Sequence, residues 1–321
     1  MLSVPDFMEK TIVVCFTTEG QAISFKNDNV LVKDKEGKVI LQHSCYRIFS
    51  LWIIGHTTIT SGILQRSKKF GFSIYLFSYS FRVVGVWNAG AEGNFLLRQK
   101  QYQYNGLHIA WHIVQNKIKN QVQLLKYLRN KTESQKRTIN ELEKYLNQKI
   151  DDLDLKKILG IEGITTKLFF NEWFIEVPWN GRKPRTKIDT TNTILDIGYT
   201  YLFNIIEAML NLYGFDVYRG IYHRNFYQRK SLVCDIVEPF RCIIDKKVRN
   251  AYNLGQIKSE DFTQYRGRYL LNIDKNKQYT GWILEEIMKY KKDMFLYVQK
   301  YYRAFMRDKP ITQYPEFIIK E

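Results

Sequence analysis

Cysteine is scarce in this sequence, with only four residues among 321. They form no CxxC or CxxxxC pair, and three of them stand in apolar surroundings that are typical of buried thiols. The sequence therefore predicts neither a zinc site nor a disulfide framework. The four residues are Cys15, Cys45, Cys234 and Cys242.

Long apolar runs and export signals are also missing. No stretch approaches the roughly 20 apolar residues that a membrane span requires. Residues 1–16 lack the basic segment, the apolar segment and the small-residue cleavage site of a secretory signal. We therefore expect a soluble, cytoplasmic protein.

Positive charge is abundant. Lys and Arg number 49 against 32 Asp and Glu, which gives a net charge of +17 and a pI near 9.5. Such a balance favours an anionic partner, with nucleic acid ahead of a membrane surface because neither end carries a strongly basic amphipathic helix. The length allows two domains, and a hydrophobic content of 45% can bury ordinary cores.

The first part of the chain has the pattern of β-strands. Short β-branched and aromatic runs alternate with turn residues, and one segment, Ser61 to Phe70, has helical spacing and ends at Gly71 as a C-cap. This pattern predicts an N-terminal β-rich domain, residues 1–90, with one small helix. The predicted strands are 11–16, 22–25, 30–32, 39–41, 51–55, 74–77 and 83–87.

The periodicity changes to that of helices after residues 89–93. Apolar residues then recur at steps of three and four, which predicts a C-terminal all-α domain over residues 91–321 and an α+β fold for the whole chain. Asp189 is a candidate N-cap and Gly214 a candidate C-cap for one of these helices. The predicted helices are 107–128, 139–150, 190–213 and 279–306.

Four polar residues within the helical region carry ligands for a hard divalent metal. Glu162 stands between two glycines at the predicted start of a helix, and His223 lies in a loop. Asp235 and Glu238 share one face of a helix at i and i+3, and a helix beginning just before Pro239 would place both near its positive end. In strongly basic sequence, such ligands indicate metal chemistry on a polyanion.

Each of these residues also has an ordinary structural explanation. A Glu in a first helical turn, as predicted for Glu162, commonly complements the helix dipole. Arg241 or Arg249, rather than a metal, would also offset buried carboxylates. His108 and His112 have the i, i+4 spacing of a zinc pair, but no third ligand follows nearby, so we take their spacing as coincidental.

A basic loop over residues 178–187 contains two prolines and a glycine and is not expected to form a helix interior. In isolation its charge suggests solvated surface. Next to a site that processes phosphodiesters, the same charge would hold the substrate by its phosphates.

Several segments, in order along the chain, resemble the CRISPR-associated spacer integrase, the universal endonuclease of the CRISPR adaptation complex. The likeness covers most of the chain, and the ordered set is far more specific than any one segment. The segments are Gly55 to Thr60, Leu97 to Tyr102, Gly160 to Gly163, Asn192 to Leu195 with Gly198-Tyr199, Gly220 to His223 and Ser231 to Arg241.

The resemblance implies a β-rich dimerisation domain and a helical catalytic domain. It implies that Glu162, His223 and Glu238 bind Mg²⁺ or Mn²⁺, and Asp235 matches an acid close to that catalytic cluster. The family joins DNA 3′-hydroxyls to repeat ends by transesterification. The implied partners are double-stranded DNA of protospacer and repeat, a second copy of the chain, and the small second CRISPR adaptation protein, with no membrane.

Seven basic residues are our candidates for contacts with DNA phosphates: Arg182, Lys183, Arg185, Arg224, Arg229, Lys230 and Arg241. Two other functions remain open at this point. One is a metal-dependent, structure-specific DNA nuclease in repair, and the other is a non-catalytic nucleic-acid-binding scaffold.

Overall fold

The structure, a computed structural model, describes residues 2–18, 21–91, 93–149, 154–223 and 226–321. The chain divides into two compact units, one of residues 1–95 with 207–215 and the other of residues 96–206 with 216–321. The domain boundary predicted between residues 90 and 91 stays a prediction.

The first unit contains two sheets. A four-stranded sheet has the order β1-β5-β6-β7, in which β7 runs antiparallel to β6 and the other pairs are parallel. A separate antiparallel sheet has the order β2-β3-β4. All seven predicted strands are confirmed. They are β1 (Thr11–Thr17), β2 (Ala22–Lys26), β3 (Asn29–Lys33), β4 (Val39–Ser44), β5 (Ile48–Gly55), β6 (Ser73–Phe77) and β7 (Val83–Trp87).

The core of this unit is built around β5, which is buried over almost its whole length because it lies between two parallel neighbours. Helix α1 (Val4–Glu9), which was not predicted, begins at the N-cap Ser3. Helix α2 (Ser61–Phe70) ends where predicted, at Gly71, whose φ of 68° lies in the left-handed region that glycine favours.

The remainder of the chain is mostly helical, which confirms the α+β fold class. One unpredicted antiparallel hairpin, β8 (Phe262–Tyr265) with β9 (Arg268–Leu271), lies among the helices. The helices are α3 (Phe95–Gln103), α4 (His108–Tyr127), α5 (Glu133–Leu146), α6 (Leu155–Trp173), α7 (Thr190–Tyr213), α8 (Ser231–Val237), α9 (Arg241–Asn253), α10 (Asn276–Lys289) and α11 (Lys291–Met306). None of the helices in the described part of the chain combines the length and the apolar character needed to cross a membrane.

The predicted caps of α7 are confirmed. The Asp189 carboxylate accepts the backbone N–H of Asn192 at 2.6 Å, as an N-cap does. Gly214 follows the last residue with a φ of 81°.

Two predictions about the helices are wrong. The single helix over residues 279–306 is in fact α10 and α11, which meet at Tyr290 without a proline or glycine to mark the break. The helix predicted over residues 139–150 begins earlier, after the Thr132 capping box, and ends at Leu146. Ile150 lies outside the described residues.

Candidate active site

The candidate site lies on the second unit, where helix α4 packs against α5, α6, α8 and α9. Helix α6 supplies Glu162. The loop before α8 supplies His223, α8 supplies Asp235, and a single 3₁₀ turn between α8 and α9 supplies Glu238. The four predicted residues therefore come from three helical segments and a loop.

Glu162 does not lie in a first helical turn. The helix begins two turns earlier, where the Asp154 carboxylate accepts the backbone N–H of Lys157 at 2.7 Å. The expected interaction of Glu162 with the helix dipole is therefore wrong. Its carboxylate accepts hydrogen bonds from the Lys117 ammonium and, at 3.1 Å, from the Thr166 hydroxyl.

The helix around Glu162 has a bare face. A Cβ added at Gly160 or at Gly163 would meet no atom within 4 Å. A cavity of about 620 Å³, which we call the α6 groove, runs along Gly160 and Ile161 and is also lined by Lys149 and Lys157. An open, basic surface thus lies within one helical turn of Glu162 in sequence.

Glu238 is almost fully buried and is held by two cations. Its Oε2 lies 2.7 Å from Lys117 Nζ, and its Oε1 lies 3.0 Å from Arg241 Nε. Burial by itself raises the pKa of Glu238, but the charges of Arg241, Lys117 and His223 outweigh burial and lower the pKa to about 2. The carboxylate is therefore ionised at neutral pH.

The expected placement of the two acids at the start of a helix is wrong. Asp235 lies in the last turn of α8, and Glu238 opens the 3₁₀ turn that contains Pro239. Helix α9 begins only at Arg241. Proline is tolerated here because its missing N–H falls where a new helical segment starts.

Asp235 holds the His223 loop in place. Its fully buried carboxylate accepts the backbone N–H groups of Ile221, Tyr222 and His223 at 2.6, 3.0 and 2.7 Å. Its Oδ1 also lies 2.8 Å from His223 Nδ1, which must donate because a carboxylate only accepts. The imidazole is thus fixed in one orientation, and Nε2 is left for another ligand.

The loop passes very close to its own neighbours at Gly220. A Cβ at this position would stand 2.4 Å from the His223 carbonyl oxygen and 2.6 Å from Ser231 Cβ. Only glycine fits there without a shift of the backbone.

Lys117 was missed by the sequence reasoning, although it lies at the centre of the site. It is 8% exposed and contacts the carboxylates of both Glu162 and Glu238. Burial opposes its charge, but the two carboxylates outweigh that effect and raise the pKa of Lys117. The sequence signal was its position on the buried face of α4, four residues after Ile113 and three before Asn120.

Of the two arginines expected to offset the buried carboxylates, one does so and the other does not. Arg241 pairs with Glu238, as stated above. Arg249 instead lies 3.4 Å from Glu176, away from the four predicted residues.

The carboxylates and the imidazole form a neighbourhood, although not an assembled metal site. Burial, and then the charges of Glu162, Glu238 and Asp235, raise the pKa of the Tyr222 phenol, so all three acids act on one buried side chain. Within the described residues, however, no three His, Cys, Asp or Glu side chains converge at metal-binding distance. Glu162 and Glu238 converge instead on the Lys117 ammonium.

The seven basic candidates fall into different environments. Lys183 and Arg185 are exposed on the basic loop. Arg182 is turned inward, 2.6 Å from Asp196 and 3.0 Å from the Asn192 side chain. Arg229 and Lys230 are partly buried just before α8, Arg241 pairs with Glu238, and Arg224 lies outside the described residues.

Tyr199 connects the basic loop to the site. The guanidinium groups of Arg182 and Arg241 lie 5.2 and 4.7 Å from its ring centroid. Its hydroxyl donates to the buried carboxylate of Asp245. Burial raises the pKa of Asp245 to about 7, against the lowering effect of this hydrogen bond and of the nearby cations.

A family model described as CRISPR associated protein Cas1 matches residues 14–283, a span that contains every residue of the candidate site. One curated relative is the CRISPR-associated endonuclease Cas1 1 of Thermodesulfovibrio yellowstonii. It is 27% identical over 243 residues, which cover 71% of this chain and 76% of the relative.

Solved structures with the same fold have lower sequence identity. A chain of a Cas6-RT-Cas1–Cas2 complex has a TM-score of 0.82 and 22% identity over 98% of this chain, which spans only 36% of that longer chain. TM1797, a Cas1 protein from Thermotoga maritima, has a TM-score of 0.77 and 18% identity over 96% of this chain and 100% of its own. A casposase bound to its integration product has a TM-score of 0.77 and 17% identity over 97% and 95% of the two chains.

Proposed function

The chain belongs to the Cas1 family of CRISPR-associated proteins, which confirms the resemblance seen in the sequence, and from that membership we propose that it is a DNA endonuclease and integrase of CRISPR adaptation. In this proposal it inserts spacer DNA into the repeat array by attack of a 3′-hydroxyl on a phosphodiester. The observation that carries the proposal is the convergence of Glu162 and Glu238 beside an imidazole that Asp235 orients.

The donor set suits a Mg²⁺ or Mn²⁺ cofactor. Glu162 and Glu238 already hold a positive charge between them, the Lys117 ammonium. Carboxylate oxygens and one imidazole nitrogen are ligands that these ions accept. We propose Glu162, Glu238 and His223 Nε2 as the ligands; a bound ion would lower the pKa of the attacking hydroxyl and stabilise the negative charge on the phosphoryl oxygens.

The other residues of the site position these groups. Asp235 accepts the Nδ1–H of His223 and so selects the tautomer of the neutral imidazole in which Nε2 is the nitrogen that can bind a ligand. Arg241 holds one oxygen of Glu238 and thereby orients the carboxylate. The α6 groove runs along the helix that carries Glu162, and the lysines that line it favour a phosphate backbone.

The basic charge supports DNA as the substrate. The net charge of +17 and the exposed Lys183 and Arg185 favour binding to the phosphate backbone without sequence readout. By analogy with the Cas1–Cas2 complex among its structural neighbours, we propose a homodimer that assembles with the small second adaptation protein.

Strand joining tests the proposal. We expect the protein with Mg²⁺ or Mn²⁺ to join a labelled duplex with free 3′-hydroxyls to a supercoiled plasmid that bears a repeat. Glu162→Ala and His223→Ala should reduce joining by at least ~100-fold, as the loss of a catalytic group does. Glu143→Ala, which removes a surface acid paired with Lys126, serves as the control and should leave joining unchanged.

The same assay separates the two rival functions. Hydrolysis of branched DNA without joining, and without preference for the repeat, would favour a repair nuclease. Equal behaviour of wild type and both site variants would favour a non-catalytic scaffold.

A further inference from the structure

We propose that Lys117 is the internal cation of this site: its ammonium holds Glu162 and Glu238 together in the metal-free protein and must leave them when a divalent ion binds. The inference rests on the proposed function, because it concerns the same two carboxylates.

The geometry places Lys117 between the carboxylates. Its Nζ lies 2.7 Å from Glu238 Oε2 and donates a hydrogen bond to Glu162 Oε1. The three residues belong to α4, to the 3₁₀ turn after α8 and to α6, so one ammonium ties three elements of the fold together. Only 8% of Lys117 is exposed, so solvent screens these ion pairs poorly.

Both oxygens of Glu238 are already paired with cations. Arg241 forms an ion pair with Oε1 and Lys117 with Oε2. Lys117 also forms an ion pair with an oxygen of Glu162. A divalent ion bound to Glu162 and Glu238 would lie close to the ammonium, and like charges at such short range in a buried site repel strongly. One of the two cations must therefore withdraw.

Lys117 is the cation able to withdraw. Arg241 approaches Glu238 from three residues away in sequence and packs its guanidinium over the Tyr199 ring, so its position has a second support. Lys117 reaches the site on a flexible four-carbon chain, which can move its charge without moving α4. The exchange would leave Arg241 to orient Glu238 in both states.

Removal of the ammonium should therefore have opposite effects without and with metal. In EDTA, Lys117→Met leaves the buried Glu238 carboxylate facing the partly exposed Glu162 carboxylate without the ammonium between them, and we expect the melting temperature to fall by about 5–10 °C. With Mn²⁺ the variant has no internal competitor. Its metal-induced rise in melting temperature should exceed that of wild type, and its half-saturating Mn²⁺ concentration should be about tenfold lower.

Two further variants keep the result interpretable. Lys119→Met removes a lysine of the same helix that pairs with Glu316 at 2.6 Å on the surface, and it should respond to Mn²⁺ like wild type. Glu162→Gln/Lys117→Met removes one carboxylate together with the ammonium. If Lys117→Met is too unstable to purify, this double variant should regain much of the lost stability in EDTA, because the repulsion is gone.

The outcomes separate this inference from the proposed function. An equal Mn²⁺ response of wild type and Lys117→Met, or no response in either, would overturn the role of Lys117. Failure of the double variant to regain stability would also overturn it. Metal-dependent strand joining by wild type is measured separately, so the integrase assignment stands or falls by that assay and not by the melting curves.

Discussion

Asp235 shows at the residue scale why a nearby acid need not be a ligand. Three backbone N–H groups and the imidazole of His223 all donate to its buried carboxylate. A carboxylate that already accepts four hydrogen bonds has little capacity left to bind a metal ion. Its role in the structure is to hold His223 in place. The family resemblance implied only that Asp235 lies close to the catalytic cluster and assigned it no role.

Replacement of Asp235 by Asn should therefore damage both stability and orientation. An amide has one acceptor oxygen where four donors need two, and its NH₂ would face donors. We expect the free energy of unfolding to fall by about 2–4 kcal/mol, measured by urea denaturation. Strand joining should also fall, because the His223 ring would no longer be held in its orientation by a carboxylate at Nδ1.

Asp308→Asn provides the matched control for that substitution. Asp308 is exposed, pairs with Lys100 and has a φ of 48°, a conformation that Asn also adopts. It should be neutral in both measurements. Equal effects of the two substitutions would show that Asp235 has no special role in the loop.

Asp245 predicts a dependence of stability on pH. Burial raises its pKa to about 7 in the folded protein, above its ordinary value of 3.8. The folded state therefore binds the proton more tightly than the unfolded state, and this contribution to stability is lost as pH rises from about 4 to about 7. Above that range the loss is complete.

Asp245→Asn should remove this dependence, because an amide keeps an acceptor for Tyr199 and does not ionise. Relative to wild type, the variant should become more stable between pH 5 and pH 8, by a few kcal/mol on the order implied by such a shift. Urea denaturation at both pH values measures the difference. A stability difference that does not change with pH would contradict the raised pKa.

The contrast between Glu162 and Lys117 shows what the sequence could predict at this scale. Glu162, His223 and Glu238 were selected because their residue types suit a hard metal and their segments follow in a recognisable order. Lys117 was not, because a lysine on an amphipathic helix usually lies on the solvated side. The Lys117 side chain points into the site only because α4 packs against α6 and against the 3₁₀ turn that follows α8.

At the scale of elements, two asparagine side chains of α4 hold the backbone of the C-terminal segment by hydrogen bonds to its N–H and C=O groups. The Asn116 side chain donates to the Phe317 carbonyl at 2.7 Å and accepts its N–H at 2.9 Å. Asn120 accepts the N–H of Ile319 at 2.8 Å and donates to the carbonyls of Phe317 and Pro239. One side chain thus connects the C-terminal segment to the turn that carries Glu238.

Asn120→Ala should loosen that connection. It leaves buried carbonyl and N–H groups without partners, which costs about 2–4 kcal/mol, and thermal or urea unfolding should show the loss. Asn130→Ala, at an exposed position beyond the end of α4, should change stability by less than about 0.5 kcal/mol. Comparable losses in both variants would mean that the contacts of Asn120 contribute little.

The elements also show where sequence patterns stop being informative. The seven strands and helix α7 were predicted because alternation, helical spacing and glycine caps are local signals. The break at Tyr290 between α10 and α11 has no such signal, since both sides read as one amphipathic helix. The start of α6 was misplaced because Gly160 and Gly163 resembled a helix boundary, whereas they leave its exposed face bare.

At the scale of the whole molecule, the net charge of +17 makes a prediction about how DNA is held. Binding through phosphates releases counterions, so affinity should fall steeply as salt rises, with a slope of about −0.9 in log K against log salt for each phosphate neutralised. Lys183 and Arg185 are exposed on the basic loop, whereas Arg182 of the same loop is occupied by Asp196. The first two should therefore contribute to the slope.

The double variant Lys183→Ala/Arg185→Ala should weaken binding of a duplex and make the slope shallower by about 2, because two phosphate contacts are lost. Fluorescence anisotropy at several salt concentrations measures both quantities. Lys35→Ala/Lys38→Ala removes the same charge from an exposed turn between β3 and β4 and controls for net charge. If both double variants changed the slope equally, long-range charge would account for DNA binding. A change confined to the loop variant would place the DNA backbone beside the Pro178 to Lys187 loop. That loop is connected to Glu238 through Tyr199 and Arg241.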